Sequence, residues 1–104
     1  MSGERVRLDV WLWRARFFKT RTMAAGVVEK GVFVERTGQS RKVDKAATPV
    51  EPGDGVSFRQ GRVLRTVRVT ACGTRRGPPA EARALYEDLD PPSEAENAGD
   101  GAAY

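Results

Sequence analysis

The sequence predicts an α+β fold, and three observations along the chain support this class. Before Gly31, apolar residues recur at the three- and four-residue spacing that is typical of helices. Between Val32 and Ala71, short apolar runs alternate with turns that contain glycine, as β-strands do. The sequence Gly77-Pro78-Pro79 then introduces one more amphipathic stretch. We therefore expect two N-terminal helices, a small sheet and a short C-terminal helix, in that order.

The first helix is predicted over Leu8–Phe18. Its apolar stripe consists of residues at positions i, i+4 and i+7, namely Leu8, Leu12 and Ala15. On a helical wheel Trp11 flanks this stripe, which favours packing in the core. Trp13 projects away from the stripe, so that packing against the domain and stacking on an unpaired base stay open as equal alternatives for it.

The second helix is predicted to begin after Thr20, whose side chain is suited to an N-cap, and to end at Gly31. Its apolar residues repeat at helical spacing and are Met23, Ala24, Val27 and Val28. A short basic corner, residues 16–21, joins the two helices. Because this connection is short, we expect the helices to be antiparallel or crossed neighbours.

The first strand is predicted at Val32–Val34. The stretch from Glu35 to Lys45 is polar and basic, and Gly38 supplies a turn within it. We interpret this stretch as an exposed loop.

Two further strands are predicted at Val56–Arg59 and Leu64–Ala71. The turn sequence Pro52-Gly53-Asp54-Gly55 precedes the first of them, and a turn at Gln60-Gly61 separates the two. Arg65 has the same parity as the apolar residues of its strand. We therefore expect a bulge or a frayed strand start at this point.

A third helix is predicted after Gly77, with apolar residues at i, i+3, i+4 and i+7, namely Ala82, Leu85, Tyr86 and Leu89. A helix this short is not stable alone, so it must dock on the domain. From residue 90 onward Pro, Gly, Ala and acidic residues dominate. We accordingly divide the chain into a domain at residues 5–76, a helix packed on it at 77–89, and a disordered acidic tail at 90–104.

Charge is distributed unevenly along the 104 residues. All 18 Lys and Arg residues lie between Arg5 and Arg83, and 8 acidic residues precede or accompany them, which gives this part a charge of +10. The remaining segment carries 6 acidic residues and no basic one. A compact surface with such an excess attracts polyanions, of which RNA, DNA and anionic membranes are the available classes.

Enzymatic and metal-binding functions are disfavoured by the residues present. The chain has one cysteine and no histidine, which excludes an internal disulfide, the common zinc sites and histidine-based triads. It contains neither a GxxxxGK[ST] nor a GxGxxG phosphate-binding sequence. We interpret Asp9, Asp44 and Asp54 as a helix cap, a loop charge and a turn residue, and Cys72 as a small residue at a strand end. We expect no catalytic residue, no metal, no cofactor and no small-molecule substrate.

The N-terminal third carries a concentrated basic cluster, which consists of Arg7, Arg14, Arg16, Lys19 and Arg21. No acidic residue lies between Val10 and Val28, whereas helix surfaces that serve only solubility usually mix both signs. We therefore favour phosphate contacts over a merely solvated face. The absence of an apolar run of membrane-spanning length and of a signal peptide predicts a cytoplasmic protein with no membrane contact.

A series of short motifs resembles the S4 RNA-binding domain, and within it the ribosome-associated heat shock protein 15 family. The motifs are Arg7-Leu8-Asp9, Trp11-Leu12-Trp13, the run RFFKTR at residues 16–21, and Gly31-Val32. The likeness covers about Val6 to Asp88. It implies two helices packed on a small, mostly antiparallel sheet, with the helix corner and the adjoining loop forming the RNA face.

The resemblance also implies a function and a set of binding residues. Members of that family bind RNA and associate with large ribosomal subunits that carry a nascent chain as peptidyl-tRNA, which helps to recycle subunits stalled under stress. The residues of this chain that match the family's binding helices and loop are Arg7, Arg14, Arg16, Lys19, Thr20, Arg21, Arg41 and Lys42. Trp13 is the candidate for base stacking.

Two departures from the family pattern are visible. Thr37 stands where the family has the Asn of a tight Asn-Gly turn, and we expect a longer connection with shifted loop contacts. The chain also ends in a short acidic segment where relatives have a long basic one. The alternatives to a monomeric ribosomal RNA binder are a protein-interaction adaptor and the RNA-binding subunit of an RNA-modifying enzyme.

Overall fold

Three helices and seven strands make up residues 4–89, the part of the chain that the computed structural model describes. The predicted disordered tail at 90–104 lies outside these residues. The helices are α1 (Leu8–Arg14), α2 (Arg21–Glu29) and α3 (Pro79–Arg83). The strands are β1 (Val6–Arg7), β2 (Val32–Arg36), β3 (Gln39–Val43), β4 (Pro49–Val50), β5 (Gly55–Gln60), β6 (Val63–Val69) and β7 (Tyr86–Asp88).

Five strands form one antiparallel sheet in the order β3-β2-β5-β6-β7. The short strands β1 and β4 form a separate antiparallel pair. Apolar residues of α1 and α2 pack with the inward-facing residues of β2, β5 and β6 in one core. The predicted α+β class, with two N-terminal helices on a small antiparallel sheet, is confirmed.

The first helix is shorter than predicted because the chain reverses just after Arg14. Arg16 has a φ angle of 67°, which a right-handed helix does not accommodate. The reversal turns Phe17 and Phe18 into the core, and the ring centroid of Phe17 lies 4.6 Å from that of Tyr86. Burying one such aromatic side chain stabilises the fold by about 1.5–3 kcal/mol, which offsets the cost of the strained turn. The prediction of a helix up to Phe18 is therefore wrong at its end.

Trp11 is fully buried, as predicted from its position beside the apolar stripe. Its indole Nε1 donates a hydrogen bond to the carbonyl oxygen of Ala71 at 3.0 Å. The ring centroid lies 6.0 Å from that of Phe17. Burial of the indole N–H is thus compensated by a partner that belongs to the segment after the last long strand.

Residues 32–43 form a β-hairpin, where a loop was predicted from Glu35 to Lys45. Strands β2 and β3 pair from Val32 with Val43 to Arg36 with Gln39, which leaves Thr37 and Gly38 as the two turn residues. Their φ angles are 51° and 82°, and a type I′ turn needs positive φ at both positions. The expected longer connection is therefore also wrong. Strand β3 could not be predicted from the sequence, because four of its five residues are exposed and polar and the alternation of apolar and polar residues is therefore missing.

Arg65 causes no bulge. The pairing of β5 with β6 continues without interruption from Gly55 with Arg68 to Gln60 with Val63. Arg65 keeps its inward position because its guanidinium lies 4.9 Å above the ring of Phe17, and its Nη1 donates to Gln60 Oε1 at 3.1 Å. The prediction of a bulge or frayed start is wrong because the apolar stem and the cation of this side chain are both accommodated on the core side.

The C-terminal helix is real but shorter than the predicted range of 77–89. It ends at Arg83, and Tyr86–Asp88 pairs with β6 as the fifth strand of the sheet. Ala82 and Leu85 are buried as predicted, whereas Leu89 is exposed. The helical spacing of four apolar residues does not separate a long helix from a short helix that is followed by a strand. In both structures the first two of these residues, Ala82 and Leu85, are buried.

Candidate nucleic-acid interface

The corner between α1 and α2, residues 15–20, is held rigidly by its own residues. Phe17 and Phe18 anchor it in the core, and Gln60 Nε2 donates to the carbonyl oxygen of Phe17 at 2.8 Å. Thr20 is the N-cap of α2, because its Oγ1 accepts a hydrogen bond from the backbone N–H of Met23 at 3.0 Å. The side chains that follow this cap are therefore presented from a fixed backbone.

Part of the predicted basic cluster serves the fold. Arg14 is half-buried, and its Nη1 donates to the carbonyl oxygens of Gly73 at 2.8 Å and Cys72 at 3.4 Å. Arg16 donates through Nε to the carbonyl oxygen of Gly77 at 2.7 Å. Both side chains tie the helix corner to residues 72–77, a segment without strand partners. Arg14 is consequently a structural residue first, whereas Arg16 is exposed and keeps its outer nitrogens toward solvent.

Arg76 completes this connection from the opposite side, and the sequence analysis did not single it out. Its Nε donates to the carbonyl oxygen of Trp13 at 3.1 Å, and its Nη2 donates to that of Phe18 at 3.3 Å. The guanidinium lies 6.0 Å from the centroid of the Trp13 ring. Trp13 is half-buried with Arg76 over its ring, and its role in base stacking stays a prediction.

Arg7 is held at the start of α1 by Asp9. The two side chains form a bidentate ion pair with both N–O distances at 3.0 Å, and the Asp9 carboxylate is buried while Arg7 remains 51% exposed. The hydrogen bond to Asp9, reinforced by its negative charge, raises the pKa of Arg7 above its ordinary value. Arg21, Thr22 and Ala25 line a shallow depression together with Asp9. Arg7 and Arg21 are therefore brought to the same part of the surface.

Lys19 and Arg21 are the cations of the corner whose side chains are not used in polar contacts within residues 4–89. Both are exposed, and within residues 4–89 neither makes an ion pair or a side-chain hydrogen bond. Together with Arg7 and the outer nitrogens of Arg16 they form what we call the cationic corner. Exposed cations on a fixed backbone, of which only Arg7 is paired with a carboxylate, are suited to bind phosphates.

Arg41 and Lys42 do not lie together as the resemblance implied. They are neighbours in β3, and successive strand residues point to opposite faces of a sheet. Arg41 pairs across the strands with Val34 on the face that the helices cover, whereas Lys42 pairs with Phe33 on the other face. Both side chains are exposed, but they serve different surfaces.

The acidic residues and the cysteine have structural environments. Buried Asp54 accepts hydrogen bonds from Arg36 at 2.8 and 2.7 Å, and this contact raises the pKa of Arg36. Burial raises the pKa of the Cys72 thiol to about 11, with a further contribution from Glu4. Such a thiol is protonated at neutral pH and is not a nucleophile. Within residues 4–89, no group of three or more potential metal ligands is placed to hold an ion, and no helix has the length and apolarity to cross a membrane.

Comparison with known proteins identifies relatives along most of the chain. No family model matches it. Heat shock protein 15 from Escherichia coli K12 is 46% identical over 83 residues, which are 80% of this chain and 59% of the relative. The heat shock protein 15 homologue from Haemophilus influenzae is 38% identical over 90 residues, which are 86% and 66% of the two chains. The matched region thus spans about three fifths to two thirds of these curated relatives.

Two further matches cover a larger share of the other protein. The RQC P-site tRNA stabilizing factor of Halalkalibacterium halodurans is 40% identical over 65 residues, 62% of this chain and 69% of that one. A trimeric structure of Vibrio cholerae heat shock protein 15 superposes with a TM-score of 0.75 and 35% identity, covering 92% of this chain and 93% of that chain. Fold and sequence agree over nearly the whole of that structure, and the chain belongs to the heat shock protein 15 family.

Proposed function

We propose that this protein is a non-enzymatic RNA-binding protein that binds ribosomal RNA of the large subunit. The cationic corner carries this proposal. Its cations are exposed, Lys19 and Arg21 have no acidic partner within residues 4–89, and the Thr20 cap and the buried phenylalanines fix the backbone that presents them. Binding to a preformed group of cations costs little side-chain ordering, and this favours phosphate recognition over transient surface attraction.

The chemistry of the corner supports structured RNA as the ligand. Arginine offers a planar fork of donors that matches a phosphate group, and Arg7 is oriented by Asp9 before any ligand arrives. Contacts of this kind read the spacing of phosphates along a folded RNA rather than its sequence. They require no cofactor, and the protein would therefore act by binding alone.

The finer part of the proposal is the ribosomal complex. We propose that the ligand is the large subunit with peptidyl-tRNA and a nascent chain still attached, and that binding aids recycling of stalled subunits under stress. The name of the Halalkalibacterium halodurans relative, a factor that stabilises P-site tRNA, supports this class of complex. The heat shock names of the other relatives support a role under stress.

We also propose that the chain acts as a monomer, in contrast to the trimeric form of the Vibrio cholerae relative. Within residues 4–89 the exposed large hydrophobic side chains are Met23, Phe33, Leu64 and Leu89. Met23 lies on α2, and the apolar residues on the open face of the sheet are separated by the polar residues Ser57 and Thr66, whereas stable subunit interfaces are built around larger contiguous apolar surfaces. Analytical ultracentrifugation of the purified chain tests this, and a single species of trimer mass would contradict it.

The test of RNA binding compares two double variants in full-length protein. Lys19→Ala with Arg21→Ala removes two free cations, and Arg5→Ala with Arg75→Ala removes two arginines that are paired with Glu51 and Glu81. Binding to purified large subunits is followed by sedimentation through sucrose gradients over a range of salt concentrations. For about five or six neutralised phosphates, log affinity falls with log salt with a slope on the order of −4.

We expect the first double variant to lower that slope by about two and the second to leave it nearly unchanged. A salt-independent interaction, or equal loss in the two variants, would contradict phosphate binding. An adaptor that binds a protein partner would keep its affinity in the Lys19 and Arg21 variant. An RNA-modifying subunit would sediment with a catalytic partner rather than with ribosomal particles.

A further inference from the structure

The face of the five-stranded sheet opposite α1 and α2 carries an aromatic side chain in an unusual position. Phe33 is the second residue of β2 and is 50% exposed, while its neighbours Val32 and Val34 are buried in the core. Across the sheet it aligns with Ser57 and then Thr66, two small residues that do not cover the ring. Burial therefore does not account for an aromatic residue here.

Three cations surround this end of the open face. Lys42 is the cross-strand partner of Phe33. Its Cε atom lies 2.6 Å, and its Nζ 3.4 Å, from the position that a Cβ on Gly31 would occupy. Lys30 and Arg59 line one groove together with Gly31. Within the described residues, none of the three cations has an ion pair or a side-chain hydrogen bond.

Gly31 makes this arrangement possible. Its φ angle of 111° ends α2 and turns the chain into β2 in a conformation that side chains with a Cβ rarely adopt. Because Gly31 has no side chain, the end of the Lys42 side chain can lie against it, beside the groove that Gly31 lines together with Lys30 and Arg59. The end of the second helix and the adjoining strands thus bring three cations close to Gly31.

The acidic residues near this end of the face do not neutralise its positive charge. Glu35 points to the same face but lies two residues further along β2, about 7 Å away by strand geometry. Its Oε1 is directed toward Gly55, 3.1 Å from the position of a Cβ there. Glu29 is a single exposed carboxylate at the end of α2. Asp44 is also exposed and lies two residues beyond Lys42, directly after β3. Three free cations against two nearby acids still leave an excess of positive charge, which favours an anionic ligand.

We propose that Phe33, Lys42, Lys30 and Arg59 form a second RNA site that takes an unpaired nucleotide. The base stacks on the exposed ring of Phe33, and the adjoining phosphates contact the three cations. The inference rests on the proposed function in one respect, that the ligand is RNA. It assigns a surface that runs from the C-terminal end of α2 onto the open face of the sheet, and single-stranded rather than folded RNA as the segment bound there.

An unpaired nucleotide fits this face better than another protein surface does. A second copy of this chain would bring a part with 18 basic and 8 acidic residues against the same cations, which is repulsive. An acidic protein would pair with the cations but would not need a flat, exposed ring at their centre. A base with its phosphate supplies a π-face and a negative charge together.

The test measures the affinity of full-length protein for two probes by fluorescence anisotropy. One is a single-stranded RNA of about 12 nucleotides, and the other is an RNA duplex of about the same length. Phe33→Ala is expected to weaken single-strand binding by about tenfold and duplex binding by less than about twofold. Phe33→Tyr keeps the ring and should retain single-strand affinity. Leu64→Ala, at a 56% exposed residue of the same sheet face, is the matched control and should change neither affinity.

Two further measurements test the charge of the site and the possibility of self-association. Lys42→Ala is expected to weaken single-strand binding several-fold and to reduce its salt slope by about one. Unchanged single-strand affinity in Phe33→Ala, equal loss for both probes, or equal loss in Leu64→Ala would overturn the site. A change of mass in ultracentrifugation caused by Phe33→Ala would overturn it in favour of a contact between copies. If Arg21→Ala also leaves every RNA affinity unchanged, the proposed function fails as well; if Arg21→Ala alone weakens binding, only this second site fails.

Discussion

The two halves of the basic cluster, Arg14 with Arg16 and Lys19 with Arg21, look alike in sequence but have different roles in the structure. In the first half, Arg14 and Arg16 donate to carbonyl oxygens of residues 72–77. In the second half, Lys19 and Arg21 are exposed and without partners within residues 4–89. The comparison teaches that neighbouring basic residues can have two different environments, one in which they satisfy an irregular backbone and one in which they stay open to solvent.

The difference follows from what lies opposite each half. The segment at 72–77 forms no strand, so its buried carbonyl oxygens need donors from side chains. A guanidinium supplies several donors in one plane and remains charged, which suits this purpose better than a lysine would. The half that begins at Lys19 faces solvent and the N-terminus of α2, where the Thr20 hydroxyl already satisfies a backbone donor.

The largest expected effect on stability is that of Arg14→Ala. It leaves the carbonyl oxygens of Cys72 and Gly73 without this donor and should lower the free energy of unfolding by about 2 kcal/mol. Urea unfolding followed by circular dichroism measures it, with Arg75→Ala as a control on an exposed and paired arginine. Loss of RNA affinity in Arg14→Ala at unchanged stability would break the division between the two halves.

A second prediction uses Cys72 as a reporter of the first half. With its pKa raised to about 11 from an ordinary 9.0, the thiol should hold roughly a hundredfold less thiolate at pH 8 than in the unfolded chain. Alkylation by iodoacetamide should therefore be slow in the native protein and much faster in the urea-unfolded chain, where burial no longer raises the pKa of the thiol. Equal rates in native and urea-unfolded protein would contradict the buried environment of the thiol.

Thr20→Ala should have an intermediate effect. Removing the hydroxyl that accepts from Met23 should lower the free energy of unfolding by about 1 kcal/mol, since N-caps contribute on this scale. Thr20→Ser keeps the acceptor and should restore most of the loss. Urea midpoints of the three proteins give the answer, and a Thr20→Ala protein as stable as the parent would show that Thr20 acts through RNA alone.

The smallest change in stability is expected for Lys19→Ala. The side chain is exposed and unpaired within residues 4–89, so the free energy of unfolding should change by less than about 0.5 kcal/mol. The same variant should still lower the salt slope of RNA binding by about one. Thermal unfolding and anisotropy titrations on one preparation test both statements, and a destabilised protein would place Lys19 in the structural half.

Residues whose surroundings are set locally could be predicted from the sequence. The Thr20 cap, the end of α2 at Gly31 and the burial of Trp11 depend on neighbours within a few turns of the same helix. The β2-β3 hairpin was concealed because an edge strand exposed on both faces has no apolar alternation. The type I′ turn at Thr37-Gly38 lacks the Asn residue by which such turns are usually predicted from sequence.

The candidate site was predictable in composition but not in arrangement. Charge and resemblance selected Lys19, Arg21 and Arg7, which the structure places at one corner. They could not show that Arg14 donates to residues nearly sixty positions away. Nor could they separate Arg41 from Lys42, because the side to which each points depends on the register of β3 with β2.

The bonds that join α1 to the segment after β6 also determine when the cationic corner can exist during synthesis. Trp11 and Ala71 are 60 residues apart, and Arg16 and Gly77 are 61 apart. Contacts of such separation form late, and β7 closes the sheet only when residues 86–88 are available. While its own chain is being translated, the protein cannot complete this corner until almost all of the domain has left the exit tunnel. The surface that we propose for RNA binding would therefore be incomplete in a nascent copy that is still attached to its ribosome.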